Sequence, residues 1–354
     1  METANETDKR ELFHRKRVDY FMALFPIAWL IRWLKNYFSR PAPDEKKAFL
    51  VMGGLSYAEA PRIHDNHLYV SIMHENCVFK FDIETNKMVK RIDFDDKVSG
   101  LGWLPNGKML VVAMTKLKIL CYDESTDVCE DYADLSDVTR LRANDMVVDD
   151  LGNAYVGNFG FDFTDHLFSS CTTTLVRVDP DRKVHVESTG LFFPNGMVIS
   201  ADGKQLLVNE TMSARVSAFD RDVATGVLSN RRVFSEIGSP VDGCCLDAEG
   251  CYWTAVPQCG AHKTSGCFAR VNPSGEVIET IGFGHNGLRG CGIACVLGTL
   301  SDGKHVLYMV EAETADEELI HARYGNSNSR LKAMYVDVGP ARRPDNPRYN
   351  AGYC

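Results

Sequence analysis

A chain of 354 residues with 45% hydrophobic and 25% charged side chains can hold one large domain with an appendage, or two smaller ones, and is too apolar to be disordered throughout. Its formal net charge of −9 provides no basic footprint for nucleic acid. That acidity does nothing to repel a cation, and it leaves neutral or cationic substrates open.

Residues 1 to 14 are polar. Arg15, Lys16 and Arg17 precede an apolar run from Tyr20 to Ile31, closed by Arg32 and Lys35. The run is shorter than the roughly twenty residues of a spanning helix, and Pro26 interrupts it. No small-residue cleavage site follows it, which argues against a removed signal peptide. Two roles stay open for a helix across residues 15–40. It packs on the rim of the main domain or on a partner, or it lies in a membrane surface with its basic flanks at headgroup level. Pro41, Pro43 and the stretch Asp44-Glu45-Lys46-Lys47 read as a linker. The expected organisation is a helical extension over 1–46, a main domain over 47–340 and a tail over 341–354. The expected location is the cytoplasm, with membrane association through the helix as an option.

From residue 47 onward one pattern recurs. In Phe192 to Glu210 an apolar turn leads into a short strand, an Asp202-Gly203 turn and a second strand, which is a β-hairpin signal. Versions of it end at Met73, Ala113, Asn158, Val256 and Val310, with turn positions at His67, Gly107, Gly152, Gly203, Gly250 and Gly303. A second element, a strand running into a turn, also occurs six times, as in VFKFDIETNK and KILCYDESTD. Hairpin plus following strands makes four strands per repeat, and a period of roughly 40 to 50 residues is that of a propeller. The expected fold is all-β, a six-bladed β-propeller with an N-terminal helical extension.

Equivalent positions in such repeats face one another around the axis. Eight residues before each turn position stand Glu59, Ser99, Asn144, Asn195, Asp242 and Cys295. Two carboxylates and two amides among these six suit a hard cation such as Ca²⁺, which mixes such oxygens with water. Four protein ligands would leave positions free for substrate, as a catalytic site requires. Asn-Gly and Asp-Gly are also ordinary turn dipeptides, which would account for Asn195 and Asp242 singly. They would not account for Glu59 and Asn144 at the same repeat position.

Other signals are weak. The twelve cysteines lack zinc-type paired spacing and read as reduced, buried thiols. Gly282-Phe-Gly284-His-Asn-Gly287 has no following helix and reads as a loop, not a dinucleotide site. Asn209-Glu210-Thr211 fits a glycosylation sequon, which matters only in a secreted chain.

Across roughly residues 50 to 340 these motifs resemble the senescence marker protein / gluconolactonase / luciferin-regenerating-enzyme family of six-bladed propellers. The resemblance implies that Glu59, Asn195 and Asp242 bind one divalent metal, with Asn144 as fourth ligand or held through water. Calcium is the first choice, with Zn²⁺, Mg²⁺ and Mn²⁺ as alternatives. It implies that Arg142 contacts substrate and that Asp242 acts as general base, or itself attacks as the nucleophile. The family's Glu-Gly-Pro becomes Glu59-Ala60-Pro61 here, a departure that keeps the ligand. The implied activity is metal-dependent hydrolysis of a small-molecule lactone or ester. Asn158 and Glu210 either line the same pocket or cap strand ends. Phenylalanines at 159, 161, 163, 192 and 193 either pack between blades or make the pocket more apolar than a sugar lactone needs. The rival readings are a condensing propeller of the strictosidine-synthase type, using Glu210, and a non-catalytic binding propeller.

Overall fold

The computed structural model describes residues 47–139, 141–161, 172–257, 266–282, 290–313, 329–343 and 346–350. They form six four-stranded antiparallel sheets and one two-stranded hairpin, Arg342–Arg343 with Asn346–Asn350. The first strands of the sheets are Ala58–His64, Val98–Trp103, Ala143–Val148, Pro194–Ile199, Cys244–Leu246 and Cys291–Thr299. Each touches the first strand of the next sheet, and the sixth returns to the first. That closed circuit makes the sheets blades around one axis, and the six-bladed propeller read from the repeats is the observed fold.

Five blades are built from consecutive strands. The sixth takes its outer strand from the start of the domain, where Phe49–Leu55 pairs with Ser329–Val336. The ring is thus closed by hydrogen bonds between its two ends, which also covers a strand edge that would otherwise lie open. First strands are buried on both faces, and Val98–Trp103 and Ala143–Val148 are buried throughout. Outer strands such as Lys87–Asp93 are mostly exposed. Blade-to-blade packing therefore rests on the inner strands, with apolar side chains such as Tyr155, Leu206 and Phe219 filling the wedge between blades three and four.

The turn positions behave as the spacing requires in five blades, with Gly107, Gly152, Gly203, Gly250 and Gly303 all at positive φ. In blade one the turn is Asp65-Asn66, at φ 46 and 59, so His67 opens the return strand instead of making the turn. Gly196 and Gly243 are a different case. A Cβ on Gly196 would sit 2.5 Å from the Asp242 carbonyl oxygen and 2.7 Å from the Gly243 Cα. These glycines let neighbouring inner strands approach closely; they are not turn residues, so the turn-dipeptide account of Asn195-Gly196 and Asp242-Gly243 fails.

The N-terminal helix expected over residues 15–40 and the loop after Gly282 lie outside the described residues. Among the described residues no helix is long and apolar enough to cross a membrane. Nine described cysteines are free thiols, all buried except Cys129.

Because the space beside Gly196 is bounded by backbone, Gly196→Ala is expected to cost about 1–3 kcal/mol, measured by chemical denaturation. A loss within experimental error would contradict the close-approach reading.

Candidate metal centre

The first strands share one irregularity. In blades one to four the register slips just after the strand begins, between Glu59 and Arg62, Val98 and Leu101, Ala143 and Met146, and Pro194 and Met197. Such a bulge re-aims the side chains it carries; Ser99, Asn144 and Asn195 lie within it and Glu59 is the last paired residue before it. In blade five Asp242 precedes the short first strand. Its carbonyl accepts from Asn209 Nδ2 of blade four, and the neighbouring Val241 carbonyl accepts from Thr211 Oγ1 at 2.7 Å. Asn209 is fully buried, which removes the sequon as a modification site in the folded chain.

Blade six departs from the count. Its slip falls between Gly292 and Ala294, so Ile293 holds the ring position, ten residues before Gly303 instead of eight. Cys295 lies further along, paired with Met309, its Sγ 3.9 Å from that of Cys245. The longer hairpin of this blade defeats a fixed spacing.

Glu59, Asn144, Asn195 and Asp242 are all buried, between 4% and 8% exposed. Burial first, then the charge of Asp242 and that of Asp145, push the Glu59 carboxyl well above the usual range. Burial, then Asp145, does the same to Asp242, against hydrogen bonds from Asn195 and the Gly243 amide. The blade-five carboxylate thus acts on that of blade one across the axis. Asp242 Oδ1 has no hydrogen-bond partner among the described residues. Asn195 Nδ2 donates to Thr211 Oγ1 at 3.1 Å, which leaves its amide oxygen as the atom to offer a cation. Ser99 Oγ donates to Asn144 Oδ1 over a long 3.4 Å. Among the described residues no three His, Cys, Asp or Glu side chains cluster to hold a metal, so any centre here needs amide oxygens beside its two carboxylates. That mixed donor set fits a hard divalent cation and suits thiophilic metals poorly.

Glu59 Oε2 accepts from the Ala60 amide at 3.0 Å. Ala60 itself stands at φ 45, a left-handed conformation that costs an alanine about 1–2 kcal/mol. A glycine there would be unstrained, so the substitution in Glu59-Ala60-Pro61 keeps the geometry at an energetic cost. Tyr57 also borders the site. Burial, followed by the charges of Glu59 and Asp242, holds its phenol well above the ordinary value.

Arg142, Asn158 and Glu210 are the other residues expected to meet substrate. Arg142 is half-buried, and its carbonyl accepts from the Phe159 amide at 3.1 Å, tying the start of blade three's first strand to the return loop. Asn158 is engaged at both ends of its amide, donating to the Thr174 carbonyl at 2.8 Å and accepting from Thr173 Oγ1. Glu210 is fully buried and accepts from the Phe192 amide, Arg215, Arg231 and Ser217. Burial opposes ionisation there, but the hydrogen bonds from Arg215 and Ser217 and the two arginine charges hold the carboxyl below its usual range. Through these bonds both side chains fasten strand ends. Phe159, Phe161 and Phe193 pack on one another, with Phe159 and Phe193 centroids 4.6 Å apart, so these three rings serve packing.

Arg62 and Asp145 were not legible as site residues. Their side chains meet at 2.6 Å, both essentially buried, and Asp145 is the charge that acts on both Glu59 and Asp242. The only available signal was the position of each charge inside an apolar inner strand.

A sequence model described as the SMP-30/Gluconolactonase/LRE-like region matches residues 57–313. The chain belongs to this family. Among curated members, human regucalcin is 30% identical over 199 residues, 55% of this chain and 64% of that protein. Chicken (Gallus gallus) regucalcin is 26% identical over 220 residues, 58% of this chain and 71% of that protein. The chain thus aligns with less than two thirds of the human relative. Among solved structures, a luciferin-regenerating enzyme superposes with TM-score 0.66 at 20% identity, covering 83% of this chain and 96% of that one. Regucalcin from Agrobacterium tumefaciens, described as a calcium-binding protein, gives 0.66 at 18%, covering 84% and 97%. A Xanthomonas campestris gluconolactonase gives 0.58 at 17%, covering 82% and 89%. At these identities the structural likenesses establish the shared fold.

Glu210 supplies a test of the strand-fastening role. Its lowered carboxyl stabilises the fold above the unfolded value of about 4.3, and that contribution is lost as pH falls through the folded value. Glu210→Ala is expected to cost about 3 kcal/mol at pH 7, with the gap to the native chain narrowing as denaturation is repeated towards pH 3. A pH-independent gap would contradict it.

Proposed function

We propose that this chain is a metal-dependent hydrolase that opens a cyclic ester, with one divalent cation, calcium first, held by Glu59, Asn195, Asp242 and Asn144. The observation that carries this reading is the buried Asp242 carboxylate, with one oxygen unpartnered among the described residues and its charge acting on Glu59. A bound cation would supply Lewis-acid polarisation of the ester carbonyl and stabilise charge on its oxygen.

The protein's own groups would do the rest. Asp242, in its buried surroundings, would accept the proton of an attacking water as that water's oxygen bonds to the acyl carbon. The ring carbon–oxygen bond would then break, and the proton would pass to the leaving oxygen to give a hydroxy acid. Arg142 would orient the substrate through its donors. Tyr57, kept protonated, would present a hydroxyl donor at the pocket wall. Relatives named gluconolactonase, regucalcin and luciferin-regenerating enzyme support a small-molecule substrate of this class. The free thiols support a reducing compartment.

A condensing propeller that relies on Glu210 has less support, because that carboxylate is occupied by Arg215, Arg231 and Ser217. A non-catalytic cation-binding propeller would use the same ligands and differ only in lacking turnover.

The test is a panel of aliphatic, aromatic and sugar lactones assayed on purified protein with and without chelator, alongside its metal content. Chelation, Glu59→Gln and Asp242→Asn should each lower turnover by about 100-fold or more, with activity of the chelated protein restored by added cation. Turnover indifferent to chelator would overturn the metal mechanism. Bound cation with no turnover of any ester would favour the binding propeller.

A further inference from the structure

Arg62 lies three residues beyond Glu59 on the first strand of blade one and is 1% exposed. Its Nε donates to the Leu101 carbonyl of blade two at 3.2 Å, and its Nη1 to the Pro61 carbonyl at 3.1 Å. Its Nη2 reaches blade three, donating to Asp145 Oδ1 at 2.6 Å and to the Met146 carbonyl at 2.9 Å. A single guanidinium therefore ties three inner strands beside the candidate metal centre. Asp145 follows Asn144 directly, and its Oδ1 also accepts the Met146 amide at 2.8 Å.

A buried ion pair also joins blades three and four, where Arg221 meets Asp149, so a clamp alone would not set this pair apart; its place beside Asn144 and Glu59 does. An ion pair buried so close to two carboxylates has a further consequence. Glu59, Asp242 and Asp145 bring three negative charges and Arg62 one positive charge, which leaves the balance that a divalent cation neutralises. We propose that Arg62 and Asp145 form a positioning and charge-setting pair that tunes the axial site to a divalent cation, an inference that rests on the metal reading above. Arg62 holds Asp145 back from the ion, so its charge acts through space while Glu59, Asn195 and Asp242 keep the coordination positions. The long-range character of that influence follows from the low dielectric of the interior.

Substitution without loss of shape separates this role from a purely structural one. Asp145→Asn removes one negative charge and keeps an acceptor for Arg62. It should lower Ca²⁺ affinity by about 10–100-fold, and Tb³⁺ affinity by more, because the interaction scales with the charge of the ion. The double variant Arg62→Met/Asp145→Asn restores the original charge balance with an uncharged pair. It should bring Ca²⁺ affinity back to within about threefold of the native chain. A structural clamp predicts instead that the double variant binds as poorly as the single one, or worse.

Binding is read by calorimetric titration of Ca²⁺ and by sensitised Tb³⁺ luminescence, with melting in chelator to confirm folding. Glu59→Gln is the reference for the site itself. If the native chain binds neither ion, or Glu59→Gln binds both normally, the metal reading fails. If Glu59→Gln loses binding while Asp145→Asn keeps native affinity, only the charge-setting role fails. The double variant is decisive even if the single one does not fold: a loss of Ca²⁺ affinity of about tenfold or more in it overturns the proposal.

Discussion

Like charges brought together in a buried place constrain everything else in this protein. A carboxylate taken out of water must be paired, protonated or bound to a metal; Glu59 carries the repulsion of Asp242 and Asp145 as well as burial, and Asp242 that of Asp145. Holding them close demands a bulge at the start of the first strands, close approach of strands at Gly196 and Gly243, and a left-handed Ala60. Of these features the left-handed Ala60 costs stability directly.

The treatment of other buried acids makes the contrast plain. Asp149 meets Arg221, Asp247 meets Arg270, Glu210 meets two arginines, and Glu311 meets Arg330 and Lys332. Those four have cations supplied by the blade that holds them or by its neighbour. Near the axis the Arg62 guanidinium pairs directly with Asp145, and Asp242 Oδ1 is left without a hydrogen-bond partner among the described residues. The contrast with those four acids supports the proposal that Glu59 and Asp242 receive a positive charge from outside the chain.

Much of this was legible in the sequence, because repetition makes geometry visible. Turn glycines at a regular period reported the blades, and a fixed offset from them reported Glu59, Asn144, Asn195 and Asp242. The same regularity misled where one blade broke it: the longer hairpin of blade six moved the ring position from Cys295 to Ile293. Gly196 and Gly243 carry no mark in the sequence that separates a packing glycine from a turn glycine; only the neighbouring strand does. Arg62 and Asp145 lie 83 residues apart and pair across blades, so no local pattern could join them. Glu210 and Asn158 end inner hairpin strands, which left a pocket role and a strand-fastening role open, and their bonding partners come from other strands or from bonds no spacing rule specifies.

The central claim is a cation at one point on the axis, and diffraction can locate it without reference to activity. Crystals soaked in a lanthanide salt, with data collected at its absorption edge, should show a strong anomalous peak among the oxygens of Glu59, Asn195 and Asp242. A peak confined to surface carboxylates, with these side chains turned apart, would contradict the account.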